Sequence, residues 1–196
     1  MPGPPRHVER EQLLDARALQ RTLQRLAAAI RKAHPQRSEP VLVGIQTRGV
    51  PLARRLAKLI EASFGARLAV GTLDITLYRD DLTQIAAQPV IKRTDIPVSI
   101  DGRSVILVDD VLYTGRTIRA ALDELIDFGR PSRIQLCALV DRGGRELPIQ
   151  PDFVGLRTDT ASDESVQVRL HEEDGDDRVV LLGPARPRRA RRRAGR

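Results

Sequence analysis

Short uninterrupted apolar runs, separated by stretches whose apolar residues recur every three or four positions, leave this 196-residue chain few folds to choose from. Val41-Leu42-Val43-Gly44-Ile45, Val105-Ile106-Leu107-Val108 and Ile134 to Val140 are too short for helices and too continuous for half-exposed strands. They read as strands buried on both faces, and Phe153-Val154-Gly155-Leu156 suggests another. Between them, Leu52, Leu56, Leu59 and Ile60 after Pro51 share one helical face. A later helix turns Ile118, Ala121, Leu122, Leu125 and Ile126 inward before Gly129 and Pro131 stop it. Ahead of the first strand, Leu19, Leu23, Leu26 and Ile30 predict a helix from about Glu9 to His34, ended by Pro35. Strands alternating with helices give right-handed crossovers. The expected fold is therefore α/β, a doubly wound, mostly parallel sheet with helices on both faces.

Three further segments are less regular. Arg67 to Leu77 alternates like a strand, then runs into Tyr78-Arg79-Asp80-Asp81-Leu82-Thr83-Gln84 and a proline-punctuated excursion to Ser99. A long loop inside a compact domain is either functional or disordered. Val166 to Leu170 and Val179 to Leu182 fit a hairpin or extra edge strands.

The net charge of +7 suggests nucleic acid until it is located. Residues 183–196 carry Arg186, Arg188, Arg189, Arg191, Arg192, Arg193 and Arg196 with no acid, and without them residues 1–182 are neutral overall. One domain over residues 1–182 is expected, with 183–196 a disordered tail, either of weak, salt-sensitive affinity for polyanions or merely solubilising. A lone cysteine, Cys137, lies inside an apolar run, and His7, His34 and His171 are scattered, so the sequence offers no Cys/His metal cage. Met1 to Arg6 lacks a signal-peptide core and no apolar run spans a bilayer, so a cytoplasmic protein without membrane contact is expected.

Chemistry concentrates in Val108-Asp109-Asp110-Val111-Leu112-Tyr113-Thr114-Gly115-Arg116-Thr117. Two carboxylates are expected to emerge where a buried strand meets solvent, and a carboxylate accepts both vicinal ribose hydroxyls at once. Thr114-Gly115-Arg116-Thr117 then opens a helix, where free backbone N–H groups and two hydroxyls cradle an anion. Either half alone could be a turn cap or an ordinary helix start. In the order strand, acids, nest, helix they describe a ribose 5-phosphate site. Gly-Lys-Ser/Thr and Gly-x-Gly-x-x-Gly, the nucleotide fingerprints, do not occur in this segment. Thr47-Arg48-Gly49 follows the first buried strand and can form a second anion nest, and Asp141-Arg142-Gly143 ends the strand from Ile134.

The segment resembles the motif that binds 5-phosphoribosyl-1-pyrophosphate (PRPP) in type I phosphoribosyltransferases. With Leu73 to Leu82 and Leu139 to Gly143 added, it is similar to the PyrR family, bifunctional pyrimidine-operon regulators with uracil phosphoribosyltransferase activity. The resemblance runs from roughly Leu19 to Gly155. It implies a type I phosphoribosyltransferase fold with a small hood from the late strands. It also implies that Val108 to Thr117 bind PRPP, that Thr47, Arg48 and Gly49 face pyrophosphate, and that Asp109, Asp110, Arg79 and Asp80 serve catalysis. Val140, Asp141 and Arg142 would lie beside the base, with Mg²⁺ carried by PRPP and no direct protein ligand. Expected partners are PRPP, uracil, UMP or UTP, pyr mRNA leader RNA met by Arg17, Arg21, Arg25 and Arg145, and further copies in a homodimer or larger homo-oligomer. Gly144, Gln150 and Leu156 stand where the resemblance leads one to expect basic residues. A purine or other nucleobase phosphoribosyltransferase without a regulatory role is the alternative.

Overall fold

A computed structural model describes residues 7–35, 39–76 and 94–185. In chain order the elements are β1 (His7–Leu14), α1 (Ala16–Ala33), β2 (Val41–Ile45), α2 (Gly49–Phe64), β3 (Val70–Leu73), β4 (Ser104–Leu112), α3 (Arg116–Asp127), β5 (Arg133–Asp141), β6 (Phe153–Arg157), β7 (Ser165–Arg169), α4 (His171–Asp174) and β8 (Arg178–Pro184). Five strands form a parallel sheet in the order β3-β2-β4-β5-β6. The period of two along each strand splits the core. Leu42, Ile106, Val108 and Leu139 pack on one face against Leu19, Leu23 and Ile30 of α1 and Leu52, Leu56 and Ile60 of α2. Val41, Val43, Ile45, Val105 and Leu107 pack on the other against Ile118, Ala121 and Leu125 of α3. Cys137 is buried in the first layer, and burial pushes its thiol up to about 12, as an inert core group requires.

β1, β8 and β7 form a second, antiparallel sheet in that order. The late runs are thus a hairpin, interrupted by α4, and the hood takes a third strand from the other end of the described chain.

Several boundaries depart from the sequence reading. Glu9 to Leu14 is a strand, not the start of a helix, because its ladder to β8 supplies what the local pattern lacks. Asp15 marks the true helix start, its extended backbone leaving Oδ1 to accept the Ala18 N–H at 2.7 Å. The strand expected over Arg67 to Leu77 shortens to β3, where Asp74 turns its carboxylate onto the Thr76 N–H at 3.0 Å. Ile126 is 62% exposed rather than inward. Eight residues beyond Ile118 it stands about 80° around the helix from the buried stripe. The tail expected from residue 183 begins inside β8, and 186–196 lie outside the described residues. So do Arg79 and Asp80. Among the described residues no helix is long and apolar enough to cross a membrane.

Candidate phosphoribosyl site

Helix α2 returns β2 to β3 on one side of the sheet, and α3 carries β4 to β5 on the other. The chain therefore leaves β2 and β4 in opposite directions, opening a crevice at their carboxyl ends, where α/β sheets bind ligands. Residues 46–49 and 109–117 meet there.

The two sides of the crevice touch through backbone. A Cβ on Gly49 would lie 2.2 Å from the Val108 carbonyl oxygen, and one on Gly44 2.5 Å from the Gly49 carbonyl oxygen. Only hydrogen at both positions lets the β2–α2 loop press against β4 immediately before the acid pair. The Gln46–Thr47 peptide in this loop is cis, and Arg48 is the N-cap of α2.

The acid pair does not emerge into solvent as expected, because β4 continues to Leu112 and carries both aspartates within its ladder. Asp109 is only 6% exposed, with Oδ1 accepting the Asp110 N–H at 2.9 Å, and Asp110 Oδ1 accepts the Val111 N–H at 2.9 Å. Burial, reinforced by the neighbouring Asp110 charge, holds the Asp109 carboxyl well above the usual carboxylate range. Burial also raises Asp110, opposed by the Val111 N–H and the Arg48 charge. A cationic or hydroxyl-rich ligand would favour the charged forms of this pair, which burial disfavours.

Beyond it, Gly115 takes φ +94° at the N-cap of α3, a left-handed turn open to glycine. Thr114 Oγ1 accepts the Arg116 N–H at 3.3 Å, while the Thr114 carbonyl accepts the Glu146 and Leu147 N–H groups at 3.0 and 3.1 Å. The loop is therefore fixed from outside, leaving its inner face toward the crevice. Within the expected PRPP segment, the side chains of Val108 and Leu112 belong to the core, so those residues can meet a ligand only through backbone.

The other sequence candidates divide sharply. Val140 is fully buried in β5. Arg142 is buried as well, its Nε donating to Thr160 Oγ1 at 2.9 Å and Nη2 to the Glu164 carbonyl at 2.8 Å. Its guanidinium stacks 3.9 Å above the half-open ring of Tyr113, a platform with no sequence signal because 29 residues separate the two. Arg17, Arg21 and Arg25 share the exposed side of α1, though the Arg25 guanidinium donates to the Gly155 carbonyl.

Arg145 faces inward. It donates to the carbonyls of Ile149 at 2.9 Å, Tyr113 at 2.8 Å and Gly143 at 3.1 Å, and to Asp141 Oδ1 at 2.6 Å. Arg145→Ala is expected to destabilise the protein by about 3 kcal/mol, since it removes the close cation from buried Asp141, which keeps only the Gly143 N–H at 3.1 Å and Arg157 at 3.9 Å, and releases three carbonyls. Urea melts check this, and a loss under 1 kcal/mol would contradict the structural role.

Two acidic residues that sequence reasoning missed complete the surroundings. Asp174 of α4 receives Arg48 through Nε at 3.1 Å and Nη2 at 2.7 Å. Glu172 receives Arg55. The acidic run from Glu172 to Asp177 was visible, but nothing in the sequence aligned it with α2.

Comparison with known proteins agrees with this geometry. The phosphoribosyl transferase domain family matches residues 9–174. The Bifunctional protein PyrR of Pelotomaculum thermopropionicum is 54% identical over 177 residues, covering 90% of this chain and 98% of its own. The Bifunctional protein PyrR of Thermus thermophilus is also 54% identical, covering 87% and 94%. Among solved structures, a hypoxanthine-guanine phosphoribosyltransferase of Bacillus anthracis superposes with TM-score 0.67 at 19% identity, covering 90% of this chain and 99% of its own. That likeness speaks for the fold. With a buried acid pair and a glycine turn into a helix N-terminus at its switch point, and with identity above half to full-length relatives, the chain belongs to the phosphoribosyl transferase domain family and, within it, to the PyrR family.

Proposed function

We propose that this protein is a uracil phosphoribosyltransferase, converting uracil and PRPP to UMP and pyrophosphate, and a uridine-nucleotide-responsive regulator that binds the leader RNA of pyrimidine genes. The observation that carries the enzymatic reading is the Asp109–Asp110 pair in β4, followed within a few residues by the Gly115 turn and within reach of the Arg48 charge. Asp109 and Asp110 hold the ribose hydroxyls and face the positive charge that develops on the ring as the C1–O bond breaks. The N-terminus of α3 takes the 5-phosphate, and the Thr47–Gly49 loop takes the departing pyrophosphate. The charges of Asp109 and Asp110 would suit a Mg²⁺ ion carried in by PRPP, and that ion would supply charge neutralisation for the leaving group. Catalysis is positioning plus electrostatics. The base sits near the end of β5, where the Tyr113–Arg142 platform lies.

For RNA, Arg17 and Arg21 are the exposed contacts that remain unattached to protein carbonyls, since Arg25 and Arg145 are engaged. Similarity to proteins named bifunctional supports the second role. Incubation with PRPP, Mg²⁺ and each nucleobase in turn is expected to yield UMP from uracil and no purine nucleotide. Turnover of hypoxanthine or guanine instead would move the protein to the purine class. Retention of pyr leader RNA at physiological salt should rise with UMP. Equal retention of any RNA, lost with added salt, would leave only non-specific charge attraction.

A further inference from the structure

Helix α2 presents two arginines to the hood. Arg48 and Arg55 are seven residues apart, two helical turns, and so lie on one side. Arg55 is gripped by Glu172 and by both oxygens of Asp177, at 2.9 and 2.7 Å. Its contacts are all to the hood. Arg48 differs because it stands at the crevice, in the loop whose Gly49 abuts Val108, and the Asp110 charge acts on it directly.

The Nε–Nη2 edge of Arg48 is a fork of parallel donors, the arrangement that grips a carboxylate or a phosphoryl group with two bonds. Asp174 fills that edge with both oxygens. Its Oδ2 also accepts the Leu170 N–H at 2.9 Å, which closes the α4 turn. One carboxylate therefore joins the hood's turn to the loop below it. A diphosphate arriving between Thr47 and the acid pair needs the same edge, and two dianionic or carboxylate groups cannot both occupy it.

We propose that Asp174 is a positioning residue that holds Arg48 in reserve: the hood carboxylate and the ligand's diphosphate compete for one guanidinium edge. This rests on the reading that the Thr47–Gly49 loop receives pyrophosphate. Diphosphate binding thus frees the α4 turn from the start of α2, while the Arg55 contacts keep the hood attached. Occupancy of the catalytic crevice is communicated to the hood through a single ion pair, and by linkage anything that tightens the hood onto α2 weakens PRPP binding equally.

The test compares the full chain with Asp174→Asn and Asp176→Asn. Asp174→Asn keeps an oxygen for the Leu170 N–H but removes the charge competing for Arg48. Asp176→Asn removes an equal charge from the same turn, where the partner is Arg178 at 2.7 Å. Calorimetric titration with inorganic pyrophosphate and steady-state kinetics with PRPP are expected to show Kd and KM about fivefold lower for Asp174→Asn, the scale of a part-exposed ion pair. Its kcat should change less than twofold, and Asp176→Asn should behave as wild type. Weaker or unaltered binding in Asp174→Asn, or an equal gain in Asp176→Asn, overturns the competition. Hydrogen exchange on the wild type supplies an independent readout: saturating pyrophosphate should speed exchange over residues 170–175, and unchanged or slower exchange overturns it as well. A wild type that binds neither PRPP nor pyrophosphate defeats the enzymatic reading itself, which separates the two failures.

Discussion

Asp109→Asn is expected to cut turnover at least a hundredfold, on the order of the loss when one preorganised electrostatic contact is removed from an active site, and yet to stabilise the ligand-free protein. Both effects come from one cause. Burial beside Asp110 holds the Asp109 carboxyl well above its ordinary range. A carboxyl whose folded-state pKa is raised favours the native state only while protonated. That contribution is present at low pH and disappears as pH climbs through the elevated value. Asparagine cannot ionise, and its Oδ1 can still accept the Asp110 N–H that Asp109 accepts at 2.9 Å. The variant should therefore melt above wild type at neutral pH, with the gap closing as pH falls into the ordinary carboxylate range. Thermal melts across pH, paired with UMP formation at each pH, check both halves. Near-normal turnover would remove Asp109 from the mechanism, and a wild type more stable than the variant at neutral pH would contradict its strained burial.

Gly49→Ala is the second large effect. The added Cβ would fall 2.2 Å from the Val108 carbonyl oxygen, a backbone atom held on both sides by the sheet. Nothing flexible can yield, so the β2–α2 loop must lift from β4. Overpacking of this kind costs about 1–3 kcal/mol. A displacement near 1 Å also takes Arg48 and the loop out of register with the acid pair, which is expected to weaken PRPP binding on the order of a hundredfold. Gly65 has open space around it, and Gly65→Ala, strained only by its φ of +67°, should cost about 1 kcal/mol and leave the PRPP KM alone. If Gly49→Ala bound PRPP normally, the backbone contact would not be what places the loop.

What the sequence revealed follows from how each element is stabilised. β2 and the start of β4 were legible because strands covered on both faces must be apolar throughout, and Val41 to Ile45 and Val105 to Val108 are. β1 was not, since its pairing partner lies some 170 residues later and most of its side chains face solvent. The position of Asp109 and Asp110 was visible in the order strand, acids, glycine turn. Their burial was not, because nothing local says that a strand continues past two carboxylates. Arg48 could be placed at a strand end, but its bond to Asp174 spans 126 residues. Arg145 looked like a surface cation, yet the loop that curls around it is stabilised only by contacts the linear pattern cannot express.

The antiparallel sheet joins residues 7–14 to residues 178–184, and that has a temporal consequence during translation. Every strand of the parallel sheet leaves the ribosome before β8 does. Until β8 emerges, β1 lacks its pairing partner. Closing so long a loop is slow. β1 therefore stays unpaired until β8 has been made, and the acid of α4 that reaches Arg48 is likewise added only after every strand of the parallel sheet.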